Sequence, residues 1–280
     1  MAYQIWRVGL DIQNGCLRAL AVQRRRYGWQ LRQWWQLRLP DDTLRGGSLH
    51  YPDRLCEVLL HWRKQLPRAI SLRVGFPVQR ILQQNMPLPD RRLREPERSW
   101  YIETMAARLF PVSGESLTFD YREESGSLRV TAAWRQELDL WLGCLRQAGL
   151  TPDAVDIMPC ALRGMAQSAG LAQEGILVHE LTEGWLWTTS WGQPLQFGML
   201  YRDEIRHLAD ALRQVVAQCP MSVSQPIYYS SAAEHGAPPA PGEAVLWSPL
   251  SAFSQLQPPL PERPGAFVLA GGLALRPGDA

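Results

Sequence analysis

The feature that most constrains the fold is a pattern that occurs twice. Near the start, "WRVGLDIQNGCLRALAV" sets Trp6, Val8 and Leu10 in alternation, breaks at Gln13-Asn14-Gly15 and resumes an apolar run through Leu17, Ala19, Leu20, Ala21 and Val22. Apolar residues at every second position describe a strand buried on one face, and Asn-Gly between two such runs favours a tight hairpin whose central residues take positive φ. "YGWQLRQWWQLRLP" adds a third strand, with Trp29, Leu31, Gln33 and Trp35 expected on one face and Trp34 on the other. A helix should follow, because Leu55, Leu59, Trp62 and Leu66 recur at helical spacing behind Asp53 as N-cap. The same order starts again at Gly175. "GILVHELTEGWLWTTSWGQPLQFGMLY" holds three apolar strands with turns at Thr182-Glu183-Gly184 and Trp191-Gly192-Gln193, and a helix from Arg202 to Ala217 carries Ile205, Leu208, Leu212 and Val215 on one face. Two copies of a meander plus helix are the trace of a duplicated α/β unit that sets its two hairpins across a cleft.

Between the copies lie a strand at Ile70 to Phe76, an extended run "RILQQNMPLP", and a helix from Glu97 to Leu109 with Trp100, Met105 and Leu109 expected inward. A hairpin follows, "LTFDYREESGSLRVTAAW", turning near Ser125-Gly126-Ser127. Next comes a helix from Arg135 to Ala148 through Leu138, Trp141, Leu142 and Leu145, closed by Gly149 at C′. "AVDIMP" reads as a strand returning to the larger frame and Ala161 to Ala169 as a short helix. The expected organisation is a first half at 1–67 plus 158–174, an inserted α+β module at 68–157 and a second half at 175–280. Late in that second half come the strand "PIYYSS", the irregular "GAPPAPG", the short strand "AVLW", and Phe267 to Leu275, which is apolar throughout and therefore buried.

Asp11 is the unusual residue of the first hairpin. A plain turn has no need of an Asp at its mouth, whereas a phosphate-binding hairpin uses one to hold a metal-bound water while the main-chain N–H groups of the turn face phosphate. Spacing alone leaves both readings open.

Charge and residue types remove several functions. Lys+Arg number 29 and Asp+Glu 27, a net +2, so no global field points to direct nucleic-acid binding. Lys64 is the single lysine, which leaves no Lys elsewhere for a Schiff base or a phosphate loop. The five Cys are dispersed with no C-x-x-C, as suits reduced thiols in the cytoplasm. The five His form no H-E-x-x-H and there is no G-x-S-x-G, so neither a metal site nor a catalytic residue is expected. No apolar run is long enough to insert into a membrane and no signal peptide is evident, so membrane association would come through a partner. Arg24-Arg25-Arg26 is either a solvated hairpin tip or an anionic-lipid contact. Trp34, Trp185 and Trp187, on strands apolar on both faces, are either core or the wall of a peptide groove.

Taken in order, several segments resemble the PilM family, the actin-like cytoplasmic component of type IV pilus assembly, and especially its HofM branch associated with DNA uptake and utilisation. They are "VGLDIQNGCLRALAV", "VGFPVQRILQQNMPLP", "FDYREE", "VTAAWRQELDLWLGCLRQAGLTPDAVDIMPCALRGM" and "AGGLALR", which together span almost the whole chain. The resemblance implies an actin-like (ribonuclease-H-like, duplicated) α/β ATPase fold with an inserted small module and a shortened second half. It also implies ATP between the halves and, as partner, the N-terminal cytoplasmic tail of an inner-membrane PilN or HofN protein. Carried over residue by residue, the first phosphate loop is Asp11, Gln13, Asn14, Gly15 and Arg18, with Gln13 in place of a flexible Gly and Arg18 in place of the phosphate-reaching Lys. The second hairpin has His179-Glu180-Leu181 where the family has Asp-Ile-Gly, and Ser231-Ala232 stands near the family's Gly-Gly. Leu at a Gly position resists φ > 0 and fills space a phosphate would need. The expectation is therefore a vestigial nucleotide site, with no cofactor or else ATP/Mg, in a scaffold recruited to the inner face of the inner membrane. The alternative is an active ATPase that cycles on ATP to regulate pilus assembly.

Overall fold

The computed structural model describes residues 5–110, 116–124, 126–219, 225–233, 239–240 and 242–278. β1 (Trp6–Gln13) and β2 (Cys16–Arg25) close antiparallel around Asn14-Gly15, and β3 (Gly28–Arg38) continues the meander. After a two-stranded ribbon, β4 (Leu44–Arg45) with β5 (Ser48–Leu49), come α1 (Pro52–Arg63) and β6 (Ile70–Phe76), the latter parallel beside β1. β7 (Ile81–Pro87), α2 (Glu97–Leu109), β8 (Leu117–Glu124) and β9 (Ser127–Trp134) form a separate unit, whose sheet has the order β7-β9-β8. α3 (Arg135–Gln147), β10 (Pro152–Ile157) and α4 (Met158–Ser168) lead out of it, and β10 joins the first sheet parallel to β6.

The second lobe comprises β11 (Ile176–Glu180), β12 (Gly184–Thr189), β13 (Phe197–Tyr201), α5 (Leu208–Gln218), β14 (Ile227–Ser231) and β15 (Val245–Leu246). Its sheet order, β13-β12-β11-β14-β15, places a meander next to a parallel strand, as β3-β2-β1-β6 does in the first. The duplication is therefore real at the level of topology. β16 (Gln255–Leu256) then returns to pair with β3, and α6 (Val268–Leu275) packs against β1 and α4.

Several expectations need correction. The module is narrower than 68–157: β6 and β10 are strands of the first sheet, and α3 packs on α1. The last part of 175–280 likewise belongs with the first sheet, through β16 and α6. In α2 the buried residues are Ile102 and Ala106, with Met105 and Leu109 packed beside them, whereas Trp100 is 63% exposed. Trp100 precedes Ile102 by two residues, about 200° around a helix, and so points away from that stripe. In β3 the register shifts between Ala21 and Val22, which leaves Arg32 as an extra residue. Leu31 therefore packs on the same side as Trp34, opposite Trp35. The N-cap of α1 is Tyr51, with Pro52 at N1 and Asp53 in the first turn, and α5 starts at Leu208, later than Arg202. Ser125 and most of "GAPPAPG" lie outside the described residues.

All eight residues of α6 are buried. It is apolar all round, so it can only be stable when enclosed. Its contacts are close enough to exclude side chains: a Cβ on Gly9 would overlap the Ala270 carbonyl oxygen, and one on Gly272 would overlap that of Ala161. The same core takes in Leu177, Leu181, Leu186 and Ala232 of the second lobe. α6 is thus the packing element between the two halves.

Candidate functional site

The two hairpins meet, as the duplication predicts. Asp11 stands at the end of β1 opposite Arg18 of β2, is 2% exposed, and accepts a hydrogen bond of 2.7 Å from Gln13 Nε2. Burial pushes its carboxyl up to about 6, against the opposing pull of Gln13 and Arg18. Arg18 is also buried, and its Nη2 donates across the lobes to the Ala232 carbonyl at 3.2 Å. Gln13 Nε2 lies 3.0 Å from Met158 Sδ. Asn14 and Gly15 form the turn, Gly15 at φ +73°, with open space where its Cβ would be.

From the second lobe, His179 is fully buried, with Nδ1 2.8 Å from Ser230 Oγ and Nε2 lacking a hydrogen-bond partner. Burial, and secondarily Arg18, push its imidazole down to about 3, so it is neutral at any ordinary pH. Glu180 accepts hydrogen bonds from Tyr229, from Ser231 Oγ at 2.7 Å and from Arg202 Nη2 at 2.8 Å. Leu181 does not take the left-handed backbone; Asp42 is the non-glycine residue with positive φ among those described. Instead its N–H donates to Gly184 O at 2.7 Å and its side chain packs into the inter-lobe core. Ser231 and Ala232 are engaged by Glu180 and Arg18.

Asp11 in this setting is held as an anion against its environment. Asp11→Asn keeps an oxygen for Gln13 and is expected to raise stability at pH 7 by roughly 1–3 kcal/mol, since a carboxyl raised from 3.8 to about 6 costs about 1.4 kcal/mol per pKa unit when ionised. Chemical denaturation of the two proteins at neutral pH measures it, and a destabilised variant contradicts it.

A groove of about 480 Å³ opens elsewhere, between the module and the first half. β8 is an edge strand of the module sheet. Its alternation sends Leu117, Phe119 and Tyr121 toward the α2 core and leaves Thr118, Asp120, Arg122 and Glu124 for the groove. The facing wall is α4 and β10, with Arg163, Gln167, Val155 and Asp156. One end is apolar, with Phe76, Ile81, Leu138, Val155 and Ile157; the other is closed by Trp191 and Leu195 of the second lobe.

The polar groups of the groove hold one another in place. Asp156 takes Arg276 Nε at 2.7 Å and stands 3.6 Å from Arg122. Glu124 accepts from Arg129 Nε at 2.6 Å and from the Leu195 N–H at 2.8 Å; burial alone would raise its carboxyl, but these bonds and the Arg129 charge hold it below its usual range. Burial pushes the Cys160 thiol up to about 12. The preformed order of this wall means that an incoming chain meets fixed donors and acceptors rather than mobile ones.

The tryptophans singled out in the sequence are not those of the groove. Trp185 and Trp187 are 1% and 5% exposed, and Trp34 donates to Pro259 O with its ring edge-on to Phe267. The groove's tryptophan, Trp191, sits in a stretch that reads as a turn. Arg163 and Arg122 likewise carry no local signal, since they meet only as opposite walls of one groove, from α4 and β8.

No protein-family model matches the chain. The DNA utilization protein HofM of Escherichia coli (strain K12) is 31% identical over 284 residues, covering 98% of each chain. Among solved structures, a PilM–PilN type IV pilus biogenesis complex contains a chain that superposes with a TM-score of 0.75 at 16% identity, covering 97% of this chain and 98% of the other. The cytoplasmic domain of EpsL, an inner-membrane component of the type II secretion system of Vibrio cholerae, gives 0.58 at 14% identity, covering 96% and 94%. The fold is the expected actin-like one. No helix among the described residues is long and apolar enough to cross a membrane. With its near-full-length identity to one and its likeness in fold to the other, the chain belongs to the HofM family of PilM-like proteins.

Proposed function

We propose that the chain is a docking scaffold of a type IV pilus-like or DNA-uptake apparatus. In this reading it works in the cytoplasm at the inner face of the inner membrane, holds the N-terminal cytoplasmic tail of a PilN-like or HofN-like inner-membrane protein, and does not turn over ATP. The observation that carries the reading is the groove beside the β8 edge, with an apolar pocket at one end and fixed polar groups along its length. Such a groove suits an extended peptide, which adds main-chain hydrogen bonds at a strand edge and anchors an apolar side chain in a pocket. That a solved structure of this fold is a PilM–PilN type IV pilus biogenesis complex supports a PilN-like partner.

The residues between the hairpins do not suit a nucleotide. Leu181 fills the position a glycine would leave open, Arg18 is committed to Ala232 O, and Asp11 is buried under Gln13. A phosphate would have to displace packed apolar carbon and break the inter-lobe hydrogen bond.

Fluorescence polarisation with the labelled tail is expected to give a Kd of roughly micromolar order, because ordering a disordered peptide opposes binding. Thr118→Trp, which places an indole on the groove floor, should weaken it about tenfold or more. Affinity no better than that of a scrambled peptide removes the reading. Titration with ATP and Mg²⁺ is the second arm: micromolar binding lost in Asp11→Ala would favour the ATPase alternative.

A further inference from the structure

We propose that the end of the six-stranded sheet where its parallel strands begin is a docking surface for an anionic lipid bilayer. The topology gathers five arginines there. β1 enters with Arg7, β2 leaves with Arg24 and Arg25, Arg26 stands in the turn, and Arg32 follows on β3. Between Ile5 and Arg38 the acidic residue is Asp11, which lies buried toward the far end of β1. None of the five arginines makes an ion pair among the described residues. Their polar partners are neutral: Gln30 Oε1 accepts from Arg25 at 2.9 Å and from Arg32 at 3.3 Å, and Arg7 reaches toward the Arg276 main-chain oxygen. Asp153, at the start of neighbouring β10, accepts from Ser71 at 2.6 Å. The positive charge is therefore ordered but not neutralised.

Aromatic rings do the ordering. Arg7 and Arg24 lie over Trp29 at 5.0 and 5.2 Å, Arg32 over Trp6 at 5.4 Å, and Arg26 over Tyr27 at 5.3 Å. Tyr27 at the turn is 75% exposed and Ile5, just ahead of β1, 53%. Guanidinium groups among rings, with apolar side chains standing outward, match the headgroup layer of a bilayer, where the charge meets phosphate and the ring or aliphatic group enters the interface. A nucleic acid fits less well. The chain as a whole carries only +2, giving little long-range field for a polyanion, and exposed isoleucine contributes nothing to phosphate contacts. The surface goes beyond the tail-binding reading and does not depend on it, but the two would reinforce each other, because a protein already on the bilayer searches for a membrane-bound tail at high effective concentration.

The test is flotation of the full chain with vesicles of equal parts phosphatidylglycerol and phosphatidylethanolamine, with phosphatidylcholine vesicles as the neutral comparison and no tail peptide present. Binding is expected to the first only, and to weaken as salt is raised. The triple variant Arg24→Gln, Arg25→Gln, Arg26→Gln should lose about tenfold or more in partitioning. Arg91→Gln, Arg92→Gln, Arg94→Gln, which removes the same charge from the module, should partition as the parent does. An unchanged denaturation midpoint and an unchanged Kd for the tail peptide would keep loss of fold and loss of tail docking out of the reading. Equal losses in the two triple variants, no preference for anionic vesicles, or a DNA duplex bound more tightly through the same three arginines would each overturn the proposal.

Discussion

Replacing Gly272 with valine is expected to cost about 4 kcal/mol or more and to abolish a cooperative unfolding transition in a protein of ordinary stability. The side chain would have to occupy space held by the Ala161 main chain of α4, and main chain in a packed helix cannot rotate away as a flexible side chain can. On the preceding residue, Gly271, an added Cβ meets the Met165 sulfur at 2.6 Å, a flexible group, so Gly271→Ala should cost less. Gly143 in α3 has nothing within 4 Å of an added Cβ, and Gly143→Ala should stabilise by roughly 0.5–1 kcal/mol through helix propensity. Thermal unfolding of the three variants gives the ranking. A folded Gly272→Val protein within 1 kcal/mol or so of the parent would show that the α4–α6 contact is looser than the geometry states.

The second large effect is on acidification, where two buried groups act in opposite directions. His179 has its folded pKa lowered from 6.5 to about 3, so the unfolded chain takes a proton first. The stability this contributes is complete above pH 6.5 and is lost as pH falls toward 3, about 5 kcal/mol in all. Asp11 has its folded pKa raised from 3.8 to about 6, so the folded chain takes the proton first; acidification through that window adds about 3 kcal/mol. Between about pH 6 and 4 the two slopes nearly cancel, and the pair alone should leave a plateau that ends in a fall below pH 4. Asp11→Asn removes the compensation. Relative to the parent, its stability should decline by about 1.4 kcal/mol per pH unit from pH 6 to 4. Urea titrations across that range decide it, and parallel pH profiles for parent and variant would contradict the assignment.

What could be read from the sequence follows from the kind of signal each element leaves. The first hairpin combines strict alternation with Asn-Gly, and the structure turns there with Gly15 at φ +73°. The duplication was legible because both copies set three apolar strand runs, broken by turns, ahead of a helix. The bounds of the module were not. Ile70–Phe76 pairs with parallel strands on both sides and is buried along most of its length, and such a strand reads alike whichever sheet receives it. The bulge at Arg32 and the outward turn of Trp100 were invisible for a related reason, since one extra residue in a ladder or a two-residue offset on a helix reverses a face without altering composition. His179-Glu180-Leu181 of the second hairpin could be read from the sequence. What the sequence did not convey is that Glu180, far from being an idle neighbour, collects Tyr229, Ser231 and Arg202 around a buried carboxylate. The groove was harder still. Its walls come from β8, β10, α4 and the loop carrying Trp191, and no local pattern records that those segments converge.

The burial of α6 also sets an order of events during synthesis. The face of β1 that closes on Ala270, and the face of α4 that closes on Gly272, are translated long before the helix that covers them. Until that helix emerges, the sides of β1, β2 and α4 that it covers stay open, although the hairpin and α4 can already form locally. A chain interrupted between Ser168 and Val268 therefore carries the first hairpin and α4 but an open seam between them, a form suited to recognition by chaperones and proteases. The emergence of α6 closes that seam, so the packing of β1 with α4 is completed by the latest of the elements that form it.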